Sequence, residues 1–172
     1  MKRLLLLRHA KAEPATDPLV DIDRPLAERG ERDARRIGER LRQQNLQPAL
    51  ILASPAARAL RTAQLVAQTI EYPRDAIALD RRLYLAEPAA IVEIIAAQND
   101  ALETLLVVGH NPGLTELVHR LLPAFDVDDL PTCAVVGLDY GEAMAWQRIA
   151  GGAAALCYYD YPKNVRAPVT TR

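Results

Sequence analysis

Apolar positions fall into short unbroken runs, separated by longer stretches where they recur every three or four residues. Residues 3–8 (RLLLLR), 49–53 (ALILA), 105–108 (LLVV) and 134–138 (AVVGL) are the runs. Each is too short for a helix and continuous rather than alternating, which predicts strands buried on both faces. Between them the helical period takes over. Ala34, Ile37 and Leu41 make one stripe over 27–44, and Leu60, Ala63, Ala67 and Ile70 another over 55–70. Ile91, Ile94 and Ile95 mark a helix after Pro88, and Leu114, Leu117, Val118, Leu121 and Leu122 fill the amphipathic template over 112–122. Ser54-Pro55 and Asn111-Pro112 each set an N-cap residue type before a proline, so two helices are expected to begin there. In the last third, 133–139, 144–149 and 154–159 read as strands joined by turns at Tyr140-Gly141 and Gly151-Gly152. The alternation predicts an α/β three-layer sandwich, a largely parallel central sheet flanked by helices. One domain is expected over 1–160. A loosely held tail is expected over 161–172, where Pro162, Pro168 and polar residues offer little to pack.

Composition changes this picture little. The 172 residues are 50% hydrophobic and 25% charged, with a formal net charge of −1. That is enough chain to bury a core, and no overall field draws it to nucleic acid or to an anionic membrane. The arginine-rich stretch 24–42 also carries Glu28, Glu31, Asp33 and Glu39, the mark of a solvated helix face. The opening MKRLLLLRHA imitates a secretory leader, but its apolar run is too short and Arg8-His9 interrupts it. No stretch approaches the ~20 apolar residues of a membrane span. Cys133 and Cys157 sit in apolar surroundings without metal or disulfide spacing, so buried thiols and a cytoplasmic location are expected.

Three predicted strands end on residues suited to one chemistry. The first runs into Arg8-His9, the second into Ser54-Pro55 with Arg58 in the next turn, and the fourth helix follows Gly109-His110. Ligands of open α/β sheets collect at the carboxyl ends of the strands, where helix N-termini favour anions. Arginine matches phosphate oxygens bidentately. A histidine whose pKa is lowered by neighbouring arginines would stay neutral and could attack phosphorus, giving a phosphohistidine that water hydrolyses. His119, beside Arg120, is expected at the surface, and Asn111 either caps its helix or touches the anion.

The ordered set LLLLR8-H9-AKA, S54-PAA-R58-ALR-T62-A and VVG-H110-NPGL resembles the histidine phosphatase superfamily, which includes the cofactor-dependent phosphoglycerate mutases. Within it the chain is most similar to the SixA-type protein phosphohistidine phosphatases, through RHAK, R24-PLAERG, D80-RRL-Y84-LA and GHNPGL. The resemblance implies a phosphoglycerate mutase-like fold, His9 as the phosphorylated nucleophile, and Arg8, Arg58, His110 and Asn111 around the phosphoryl group. It implies no metal and no cofactor. Two departures separate the chain from the mutases. Arg81 stands where their glutamate acid would be, leaving only Asp80 or Glu87 as candidate general acids. About thirty residues separate Asp80 from His110, too few for the mutases' longer lid, so a more open site is expected.

An open site without an obvious acid suits a phosphohistidine-bearing protein as substrate, because imidazole leaves more readily than an alkoxide. A broad small-molecule phosphomonoesterase is the alternative. An inactive phospho-binding module is a second, disfavoured because binding alone needs no histidine nucleophile.

Overall fold

A computed structural model describes residues 1–16, 18–141 and 144–170. Strands β1 (Lys2–Arg8), β2 (Leu50–Ala53), β3 (Ala78–Leu79), β4 (Thr104–Gly109), β5 (Val135–Tyr140), β6 (Ala154–Asp160) and β7 (Val169–Thr170) form one sheet in the order β3-β2-β4-β1-β5-β6-β7. From β3 to β1 neighbours run parallel, and from β1 to β7 antiparallel. The mixed sheet is flanked by α1 (Glu28–Gln43), α2 (Ala57–Thr69), α3 (Pro88–Ala96) and α4 (Gly113–Leu121).

The three layers follow from how the strands divide their side chains. Leu5, Leu7, Ile51, Leu106 and Val108 face a cluster with Ala34, Ile37 and Leu41 of α1 and Ala63, Val66 and Ala67 of α2. Leu4, Leu6, Leu52, Leu105 and Val107 face the opposite cluster, with Ile91, Ile94 and Ile95 of α3 and Leu114, Leu117 and Val118 of α4. Leu4 to Leu7 are all wholly buried, which is why the strand reads as an unbroken apolar run.

Three expectations change. Residues 144–149 are not a strand; a 3-10 helix spans Trp146–Gly151. Trp146 and Ile149 are both fully buried, a spacing of three that one helical turn satisfies and a strand would split between faces. Trp146 is also fixed from outside, its backbone N–H donating to Asp100 Oδ1 at 2.7 Å and its indole to the Leu102 carbonyl at 2.9 Å. The second change is at the helix starts. Ala56 and Pro112, not Ser54 and Asn111, immediately precede α2 and α4, yet Asn111 Oδ1 still accepts the first-turn Thr115 N–H of α4 at 3.3 Å, whereas Ser54 Oγ reaches only the Ala56 N–H ahead of α2. The Asn111-Pro112 peptide is cis. Third, the segment after residue 160 is tied at its start and again at β7, while Val165 between them is exposed. Arg40 Nη1 donates to both Asp160 carboxylate oxygens and to the Tyr161 carbonyl, Nη2 to the Asn164 carbonyl, and β7 pairs with β6. Thr171 and Arg172 of the expected tail lie outside the described residues. Among the described residues no helix is long and apolar enough to cross a membrane.

Candidate active site

The carboxyl end of β1 delivers Arg8 and then His9 into a backbone clamp. The His9 N–H donates to the Gly109 carbonyl at 3.1 Å, and the His9 carbonyl accepts from Cys133 N–H at 3.1 Å. His9 is thereby tied to the end of β4 on one side and to the approach to β5 on the other. Its Nδ1 lies 2.8 Å from the Ala10 carbonyl. A carbonyl can only accept, so Nδ1 carries the hydrogen and Nε2 keeps its lone pair. Ala10 is held in turn, its N–H donating to Thr62 Oγ1 at 3.0 Å while the Thr62 hydroxyl donates to the Arg58 carbonyl at 2.7 Å.

His110 follows β4 and faces His9, their ring centroids 5.2 Å apart. Its Nε2 lies 2.7 Å from Ser54 Oγ, the residue after β2. Ser54 also accepts the Ala56 N–H at 3.3 Å, so its own hydrogen can go to Nε2. The ring hydrogen then belongs on Nδ1, a buried atom without a hydrogen-bond partner among the described residues. Burial is the first cause that lowers both rings, His9 to about 4 and His110 to about 3. Arg58 and Arg24 push both the same way, Arg8 adds to His9, and the Ala10 bond and Asp21 oppose on His9 and His110 respectively. The arginines expected to cause the shift therefore come after burial.

The cations converge here. Arg58, 2% exposed, donates through Nη1 to the Asp21 carbonyl at 2.7 Å and through Nη2 to the Asp21 carboxylate at 3.1 Å. Arg24 reaches the other Asp21 carboxylate oxygen at 3.2 Å. Arg8 donates to the Leu130 carbonyl at 2.5 Å and lies 3.5 Å from Asp129. The Nε atoms of Arg8, Arg24 and Arg58 are buried without a hydrogen-bond partner among the described residues. Tyr84 completes one wall, edge-on to His110 with centroids 5.6 Å apart.

Other expected residues lie elsewhere in the chemistry. Both side-chain N–H groups of Asn111 have partners within the protein. Its Nδ2 gives one hydrogen to Asp129 at 2.6 Å and one to the Leu130 carbonyl at 3.1 Å, so it holds the loop that meets Arg8. Asp80 accepts from the Arg82 backbone and guanidinium, which hold its carboxyl below the usual range. Glu87 and Arg81 are exposed, as is His119. Asp21, Ser54, Thr62 and Asp129 had no assigned part here. Each also has a contact across at least fourteen residues of sequence, beyond the reach of any local period. Ser54, Thr62, Arg24 and Tyr84 stood within matched motifs, and only three-dimensional neighbours show what they touch.

Two facing histidines among three guanidinium groups, at the carboxyl edge of an α/β sheet, are an arrangement that can hold a tetrahedral oxyanion. The chain belongs to the histidine phosphatase superfamily (branch 1), whose family model matches residues 4–83, and it is a phosphatase by class. An uncharacterised protein of Mycobacterium tuberculosis is 34% identical over 91% of this chain and 100% of its own length. In structure the chain resembles a proposed phosphohistidine phosphatase SixA of Nakamurella multipartita, with 25% identity, TM-score 0.81, and 95% and 97% of the two chains covered. A proposed SixA of Agrobacterium tumefaciens is 29% identical, with TM-score 0.73 and coverage of 94% and 98%.

Proposed function

We propose that this phosphatase works through a phosphohistidine on His9 and that its substrate is phosphohistidine carried by a protein. The observation that carries the mechanism is the Nδ1 contact of His9 with the Ala10 carbonyl, which leaves a neutral Nε2 lone pair beside three cations. Nε2 attacks phosphorus while the bond to the substrate ring breaks, and that ring, protonated beforehand at its other nitrogen by solvent, leaves as neutral imidazole. Water then attacks phosphorus, the N–P bond breaks, and orthophosphate leaves a neutral His9. Arg8, Arg58 and the Nδ1–H of His110 serve the equatorial oxygens throughout.

The substrate reading draws on the acids. Asp80 is paired with Arg82 and Glu87 is exposed, which supports a reaction that needs no protonated alkoxide. A leaving imidazole, with a pKa of ~6.5, needs no such help. Metal-free catalysis belongs to the same proposal, because the guanidinium groups already supply positive charge. No group of three or more His, Cys, Asp or Glu positioned to hold a metal occurs among the described residues.

The test compares a phosphohistidine protein, an aryl phosphate and an alkyl phosphate, each after exhaustive EDTA treatment. The expected order of kcat/KM is phosphohistidine, then aryl, then alkyl, with an acid-labile phosphoryl adduct on wild type that is missing from folded His9→Ala. Turnover by His9→Ala would overturn the nucleophile. Equal or faster alkyl turnover would replace the protein substrate with small phosphoesters, and recovery only with a divalent ion would replace the mechanism.

A further inference from the structure

Asp21 places a carboxylate between two of the site's cations, where an incoming phosphoryl dianion would find repulsion. It lies on the 3-10 turn Pro18–Asp23 and is shared three ways. Arg58 and Arg24 contact its two carboxylate oxygens, and the Tyr84 hydroxyl donates to Oδ2. Tyr84 is itself a neighbour of both Arg58, 6.0 Å from ring centroid to guanidinium carbon, and His110. Its hydroxyl bond is the first cause holding the Asp21 carboxyl below its usual range, so the acid is a fixed anion rather than a proton donor.

The shape of the contact separates two roles that such an acid could have. A carboxylate that merely plugs the site would hold Arg58 by its side chain alone and swing away when phosphate arrives. Here the shorter of the two contacts, 2.7 Å, goes to the Asp21 main-chain carbonyl, which cannot leave without moving the turn. Carbonyl and carboxylate together take the Nη1–Nη2 edge of the guanidinium. The Nε–Nη2 edge is left with its second Nη2 hydrogen and with Nε, which is buried and has no hydrogen-bond partner among the described residues.

We infer that Asp21, fixed by Tyr84, is a positioning residue that holds one edge of Arg58 so that its Nε–Nη2 edge meets two oxygens of the transferring phosphoryl group. The inference rests on the phosphoryl-transfer reading above and adds the device that aims its most buried cation. A guanidinium aimed in advance serves the transition state more than the ground state, because it need not reorganise when charge develops.

The experiment uses the full chain and the variants Asp21→Asn, Tyr84→Phe, Arg58→Ala and Asp21→Asn/Arg58→Ala. The readouts are kcat and KM on an aryl phosphate, calorimetric affinity for orthovanadate and orthophosphate, and the melting temperature. Asp21→Asn is expected to lower kcat roughly 10–100-fold, the usual cost of losing an outer orienting partner, with a smaller change in KM. Vanadate, which can mimic the five-coordinate transition state, should weaken by a similar factor and orthophosphate by less. Tyr84→Phe should move both in the same direction by less. In the Arg58→Ala background, Asp21→Asn should change kcat by under about 2-fold, because a residue acting through Arg58 has nothing left to aim. Independent losses that multiply in the double variant would overturn the inference. So would faster turnover with tighter vanadate binding, the behaviour of a plug. Wild type without any turnover would mean that the phosphatase reading fails; equal vanadate affinity in wild type and Asp21→Asn would then overturn the positioning role separately.

Discussion

Both site histidines stay neutral well below the pH at which a solvated imidazole charges, and this has a measurable cost in acid. An unfolded chain takes up both protons near pH ~6.5, whereas the folded rings wait until about 4 for His9 and about 3 for His110. Between those limits the unfolded state binds more protons, so stability rises with pH across the window and is lost as pH falls through it. The carboxylates of Asp21, Glu31, Asp80 and Asp139 are held below their ordinary values and take over only at lower pH. Thermal melting should therefore drop between roughly pH 6.5 and 4.5, and the drop should flatten in His110→Gln. A melting temperature independent of pH there would show that the rings are not held neutral. At this scale the convergence of Arg8, His9, Arg58 and His110 was legible because three of them stand beside strand ends visible in the hydrophobic pattern and Arg58 lies in the first turn of the helix after β2. Asp21 was not, because its partners Arg58 and Tyr84 come from α2 and from the segment after β3, and no spacing in the chain links them.

At the scale of elements, the GHNPG motif divides into parts with different duties. Gly109 has room for a methyl group; an added Cβ would meet Leu114 at an ordinary van der Waals distance of 3.6 Å. Gly113 opens α4 against backbone, where a Cβ would stand 1.9 Å from the Ala86 carbonyl oxygen. That carbonyl lies between Tyr84 and α3, so Gly113 lets the helix after His110 approach the wall that carries Tyr84. Gly113→Ala should cost about 1–3 kcal/mol by denaturant titration and lower kcat by displacing His110, whereas Gly109→Ala should stay within about 0.5 kcal/mol. Similar losses from both would mean that the Ala86 approach sets nothing. Elements with long apolar runs or full helical stripes were legible from the sequence: β1, β2, β4 and all four helices. Two-residue β3 carries no period at all, and the turn at Trp146–Gly151 takes its shape from Asp100 and Leu102, which no reading of 144–149 alone could supply.

The molecule as a whole is closed by its last segment. Asp160 is wholly buried and takes hydrogen bonds from Arg40, Tyr158, the Tyr161 N–H and Asn164. Arg40→Ala would leave that carboxylate without its cation, at an expected cost toward the low end of about 3–5 kcal/mol because the other donors remain. Asp160→Asn in the same background should recover part of the loss in a thermal melt, and no recovery would show that charge is not what Arg40 answers. A different consequence follows from the place of β1, the first strand of the chain, which lies between β4 and β5. As the chain leaves the ribosome, four consecutive leucines wait with both strand edges open until residues 104–140 have been made. At common synthesis rates that wait is on the order of ten seconds, long enough for chaperones that bind bare apolar segments to find it. His9 is translated well before Gly109 and Cys133, which hold its backbone, so a nascent chain stopped before them would carry His9 without the clamp that orients it.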